Sequence, residues 1–215
     1  MMDRTAAGTL KDAVLERLRQ DIITGALRPG TIVSDLELAK RYGASTTPVR
    51  EALMVLAGER LIDMPANRAK RIAPLERKTS LDLFEFYRVL ATHSFDKGSR
   101  LISQAEIEKM RQVIDEIDPN ALVERRSVPT FISFLTPVYG AAGNAEIVRM
   151  LQNCSSWLQR LTNLLGIASL KAEMLEGARE ILNAVEAGQA DKAIRLHQES
   201  LDHFEGQISA IPDIH

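Results

Sequence analysis

The sequence predicts a mainly α-helical protein in two parts. A short N-terminal part, residues 1–75, combines helices with one small β-hairpin. A longer part, residues 79–215, is an all-α helical bundle. Three observations predict this. Apolar residues recur at helical spacing along most of the chain. Strand-like stretches are only a few residues long and fall before Pro74. The charge also changes sign near Leu75. Residues 1–75 carry 12 Lys/Arg against 9 Asp/Glu and the remainder 15 against 20, so the net charge of −2 hides a basic part and an acidic one.

The elements follow in order. Leu10, Val14, Leu18 and Ile22 make one helical stripe, which Gly25 ends. Leu27-Arg28-Pro29-Gly30 reads as a turn, and Pro at i+1 with Gly at i+2 suits type II, where φ must be positive. Thr31–Val33 is extended. Ser34 and Glu37 have capping-box spacing, and the helix they open stops at Gly43. Thr47 is the predicted cap of the next helix, with Pro48 at its first position. Val49, Ala52, Leu53 and Leu56 form its inner face, and Arg50 and Met54 lie off that face. Ile62–Pro65 and Lys70–Ile72 read as a hairpin around Ala66-Asn67-Arg68-Ala69. A polar link, Pro74–Thr79, leads to helices predicted near 80–99, 103–117, 120–126, 130–142, 144–165, 169–187 and 190–209. Pro137 is expected to kink the fourth of these.

Composition excludes several classes. With 45% hydrophobic and 26% charged residues the chain is of globular type. It has no run of 18 apolar residues and no apolar leader near its start, so neither a membrane span nor a signal peptide is expected. A single cysteine, Cys154, cannot form an internal disulfide. The expected location is cytoplasmic. No nucleophile elbow, zinc-protease motif or phosphate loop occurs, which argues against an enzyme.

Two helices joined by a tight turn, preceded by a third and followed by a basic hairpin, describe a winged helix-turn-helix. In that arrangement the second helix of the pair enters the major groove and its first residues reach base edges. The helix start also offers free N–H groups to phosphate. The DNA-contacting candidates are Thr46, Thr47, Pro48 and Arg50 at the helix start, and Asn67, Arg68, Lys70 and Arg71 in the wing. The expected partner is a double-stranded DNA operator. Salt-bridging at the helix surface is the plainer alternative for Arg50.

These residues also carry a family resemblance. Leu27-Arg28-Pro29-Gly30-Thr31, Leu38-Ala39 and, above all, Ser45 to Leu53 resemble the GntR family of bacterial transcription regulators. The family pattern there is close to S-R-T-P-V-R-E-A-L, from which this sequence departs only at Thr46. The family's Arg at that position commonly contacts guanine, and Thr cannot make the bidentate pair with O6 and N7. Leu36 stands where some members have a DNA-contacting Arg, and Ala69 replaces the usual wing-tip Gly. An operator unlike the family's common one is therefore expected.

The helical remainder resembles the FadR-type effector domain, in the family's FCD branch. The resemblance implies a homodimer, a repressor by family habit, and a small-molecule effector such as an organic acid or acyl compound. Many members hold a divalent metal with one Asp and three His. Here the corresponding positions fall at Phe131, Leu135, Ala178 and near Ser200, so no metal or other cofactor is expected. The old cavity then either takes a metal-independent organic effector or is collapsed and serves dimerisation. His197 lies on an inward stripe with Ile194, Leu201, Phe204 and Ile208, and reads first as a hydrogen-bonded core histidine. Arg88 has Ala91 where the family often has a carboxylate partner; it either awaits an anion or meets another acid. The candidate effector residues are thus Arg88, Phe131, Leu135, Ala178, His197 and Ser200. A scaffold whose winged helix binds protein is the alternative reading.

Overall fold

The computed structural model describes residues 10–66, 68–117, 131–164 and 168–210. They divide into two compact units that meet in sequence at Pro74 and Leu75.

In the first unit, α1 (Leu10–Ile23) buries Val14, Leu18 and Ile22, as its stripe requires. The amide of Thr31 donates to the Arg28 carbonyl at 3.2 Å, with Gly30 at φ +74°, which is the expected type II turn. Strand β1 (Ile32–Val33) leads into α2 (Asp35–Tyr42), capped by Ser34 and ended by Gly43 at φ +65°. Helix α3 (Thr46–Gly58) follows, then β2 (Ile62–Asp63) and β3 (Lys70–Ile72). The inner faces of the three helices share one core with Val33, Leu61, Ile62 and Ile72.

Three local readings are corrected. The wing is a three-stranded antiparallel sheet of order β1-β3-β2 and not a lone hairpin, with Val33 paired to Lys70 and Ile62 to Ile72. A two-stranded hairpin is marginal by itself, and the third strand satisfies the free edge of β3. Only half of the capping box forms at α2. Ser34 Oγ accepts from the Glu37 amide at 3.2 Å, and Glu37 Oε2 accepts from the Ser34 hydroxyl at 2.8 Å instead of from the backbone. Helix α3 also starts two residues early, with Ser45 at the cap and Pro48 in the third helical position. Every amide in a helix's first turn lacks an intrahelical acceptor, so Pro48 loses no hydrogen bond there.

In the second unit the helices are α4 (Arg77–Ser99), α5 (Gln104–Asp115), α6 (Phe131–Ala141), α7 (Ala145–Asn153), α8 (Ser155–Leu164), α9 (Ala168–Glu186) and α10 (Ala190–Ser209). Helix α4 packs on α6 and α10, α5 on α6 and α9, and α9 on α10. The single helix expected over 144–165 is divided at Cys154, whose amide donates to Leu151, three residues back. One tightened turn, with no Gly or Pro, makes the break. Pro137 lies inside α6. The helix expected at 120–126 lies outside the described residues. Among those residues no helix is long and apolar enough to cross a membrane.

Candidate nucleic-acid interface

Helix α3 has one face wholly committed to the core. Val49, Ala52, Leu53 and Leu56 are each fully buried, which fixes its rotation and turns Arg50 outward. The Arg50 side chain is 66% exposed. Thr47 is exposed at the helix start, and Thr46 and Pro48 are half-buried. Across the core, Arg19 of α1 grips Glu59 beyond the end of α3 through two hydrogen bonds, of 2.9 and 2.7 Å, and so holds α1 to α3.

Of the predicted contacts, the structure brings Arg50 and Lys70 together. Asp35, the first residue of α2, accepts from Arg50 Nε at 2.6 Å and from Lys70 Nζ through its other oxygen. The starts of α2 and α3 and the central strand of the wing thus converge on one carboxylate. Partial burial pushes that carboxyl's pKa up, but the hydrogen bonds and charges of Lys70 and Arg50 outweigh it and hold the group below the usual range. Asp35 was not among the candidates. Its partners lie 15 and 35 residues away in sequence, and only its acidity in the first turn of α2 hinted at a role.

The remaining wing residues separate. Neighbours in a strand point to opposite faces. Lys70 turns to Asp35, and Arg71 pairs with Asp63 of β2 at 3.0 Å. Arg68 is exposed, its amide closing a turn onto the Pro65 carbonyl. Asn67 lies outside the described residues.

Of the candidate effector residues, Arg88, His197 and Ser200 have partners inside the helical unit. His197 is 1% exposed and stacked on Phe95, ring centroids 4.2 Å apart. Its Nε2 shares a hydrogen bond of 3.2 Å with the Tyr139 hydroxyl, which shares another of 3.1 Å with Tyr87. Burial drives the His197 pKa down to about 3, helped by the Arg88 charge, so the ring is neutral and sits in the core. Tyr87, Tyr139 and Phe95 escaped the sequence reading because α4 and α6 supply them from far away in the chain. Arg88 is not waiting for an anion: it pairs with Asp202 and Glu205 of α10. Ser200 donates to the Leu196 carbonyl of its own helix at 2.9 Å. Arg160, unremarked in the sequence among Trp157 and Leu161, is fully buried on α8.

A divalent ion does not fit these positions. Leu135 and Ala178 are buried hydrocarbon, Ser200 is a weak ligand type already engaged in its helix, and the nearby His197 nitrogen faces Tyr139. The Phe131 side chain lies outside the described residues. Among those that are described, no group of three or more His, Cys, Asp or Glu is placed to hold a metal.

Comparison with known proteins agrees with both units. Residues 10–71 match the family model "Bacterial regulatory proteins, gntR family", and residues 82–203 match that of the FCD domain. The gluconate operon transcriptional repressor of Bacillus licheniformis is 21% identical over 199 residues, covering 89% of this chain and 82% of that protein. A GntR transcriptional regulator from Rhodococcus sp. RHA1 has a similar fold, with a TM-score of 0.76 at 22% identity, covering 94% of this chain and 99% of that one. The McbR/YncC protein of E. coli aligns at a TM-score of 0.71 and 15% identity, over 94% and 98% of the two chains. With a winged helix-turn-helix ahead of an all-helical domain, and both family models matched in that order, the chain belongs to the GntR family of bacterial transcription regulators, in the branch that carries an FCD domain.

Proposed function

We propose that this regulator binds a duplex operator as a cytoplasmic homodimer, through the start of α3 and the wing, and acts by binding and not by catalysis. The observation that carries the proposal is the presentation of Arg50. Its helix is locked by a buried face, its side chain is exposed, and Thr46, Thr47 and Pro48 stand beside it at a helix N-terminus. Arg68 and Lys70 supply positive charge from the wing, suited to the phosphate backbone. A two-fold dimer pairs such heads with half-sites about one helical turn apart. In that role the FCD domain takes a small organic acid or acyl compound without a metal. The supporting features are that Leu135, Ala178, Tyr139 and His197 are each buried and that the last two share a neutral hydrogen bond.

The test is a fluorescence-anisotropy titration of the full chain with duplex DNA from upstream of its own gene, at several salt concentrations. Binding weakened ten-fold or more by Arg50→Ala, on the order of a lost bidentate base contact, is expected. Binding indifferent to that substitution would remove Arg50 from the interface. A thermal-shift screen of carboxylates and acyl-CoA compounds, repeated with chelator, tests the effector reading; a shift that needs added metal contradicts it.

A further inference from the structure

We propose that Asp35 is a positioning residue for sequence recognition: by binding Arg50 at Nε it aims the guanidinium's two terminal nitrogens outward as a fork. The inference rests on the DNA-reading role proposed for α3.

The geometry is specific. An arginine has one inner donor, Nε, and a terminal pair, and the pair is what matches O6 and N7 of guanine. Asp35 Oδ2 takes the inner donor at 2.6 Å. Among the described residues nothing takes the terminal pair. The carboxylate is itself held. It begins α2 directly after the Ser34 cap, its other oxygen accepts from Lys70, and its side chain is 15% exposed against 66% for Arg50. A fixed base thus carries an exposed tip, and an arginine so tethered is less free to swing to the nearest phosphate.

The sign of the charge supports this. An anion on a face that meets a polyanion weakens attraction to every DNA sequence alike. Asp35 also draws on two cations that would otherwise neutralise phosphates. Its net effect is therefore to lower indiscriminate binding and to direct what remains to base edges. Leu36, the next residue and largely exposed, adds no charge that would offset this.

The experiment uses the full chain and a duplex library with a randomised centre. The sequence that wild type enriches is then compared with a scrambled duplex of equal composition, by anisotropy across salt concentrations. Asp35→Asn is expected to bind the scrambled duplex as well or several-fold better, with a steeper salt dependence. It is expected to lose about ten-fold or more of the preference for the enriched sequence, on the order of one bidentate base contact. Asp35→Glu, which keeps the charge, restores most of the preference. In an Arg50→Ala background Asp35→Asn leaves the preference unchanged, because the effect runs through Arg50. Circular dichroism checks that each variant is folded. Equal preference in wild type and Asp35→Asn, or a loss of preference that persists unchanged in the Arg50→Ala background, overturns the role of Asp35. A wild type that enriches no sequence overturns the DNA-reading proposal, and this inference with it.

Discussion

Gly98 of α4 faces the backbone carbonyl of Val138 in α6 so closely that a Cβ on it would stand 1.9 Å from that oxygen. The obstacle is main chain and cannot turn aside. Gly98→Ala is therefore expected to push α4 and α6 apart and destabilise the helical unit by about 1–3 kcal/mol, exceeding the smaller gain in helix propensity. Gly140, also in α6, has open space around its Cβ position, so Gly140→Ala is expected to be neutral or stabilising by up to about 1 kcal/mol. Trp157, the only tryptophan, is 4% exposed within this unit. Urea unfolding followed by its fluorescence should show a lowered midpoint for Gly98→Ala and an unchanged or raised one for Gly140→Ala.

The neutral core histidine makes the helical unit sensitive to acid. His197 titrates at about 3 in the fold and about 6.5 when unfolded, so below pH 6.5 the unfolded chain binds the proton first. The stability it contributes is complete above that pH and is lost as the pH falls toward 3, at about 1.4 kcal/mol per pH unit. Between pH 6.5 and 5 ordinary carboxylates stay largely ionised, which isolates the effect. The Trp157 unfolding midpoint should fall through this window, and His197→Phe should flatten the slope. An unchanged slope in that variant would show that other groups carry it.

Arg60 follows α3 at φ +61°, a left-handed position. Its amide donates to Ala57 at 3.1 Å and the Leu61 amide to Leu56 at 2.9 Å, which is a Schellman ending. Glycine suits this site, as it has no Cβ to clash there. Arg60→Gly is expected to stabilise the winged helix by about 0.5–1 kcal/mol, read as roughly two- to five-fold slower amide exchange in α3. Faster exchange would mean that the Arg60 side chain contributes more than its backbone costs.

Thr46 is the first residue of α3 and lacks the guanidinium usual at that position in the family. Thr46→Arg is expected to add a guanine preference to the enriched DNA sequence and to steepen the salt dependence by about one phosphate equivalent if the new side chain also meets the backbone. Selection from a randomised duplex library reads the first effect directly. An identical enriched sequence would place residue 46 away from the bases.

Features set by near neighbours in sequence were readable in advance, and those set across the fold were not. The stripe of α1, the stop at Gly43 and the buried face of α3 follow from periodicity and backbone preference. Strand β1 is two residues long with only Val33 buried, too short for alternation to show. Proline is tolerated throughout a helix's first turn, so Pro48 marked the start of α3 without fixing its register. Ala91 left Arg88 without the usual partner in its own helix and its anion unnamed, and its acids lie 114 and 117 residues on. The clamp at Asp35 is of the same kind: the residues were visible and their meeting was not.

The pairing of α4 with α10 joins the first to the last of the bundle's described helices. Arg88 holds Asp202 and Glu205, Phe84 lies 5.2 Å from Phe204, and Phe95 stacks on His197. During synthesis the winged helix has its whole core once residue 74 has emerged, because domains fold as units and the N-terminal one comes first. The apolar face of α4 waits for α10. A stalled or prematurely terminated product therefore presents a finished winged helix attached to a helical unit in which α4 lacks its partner.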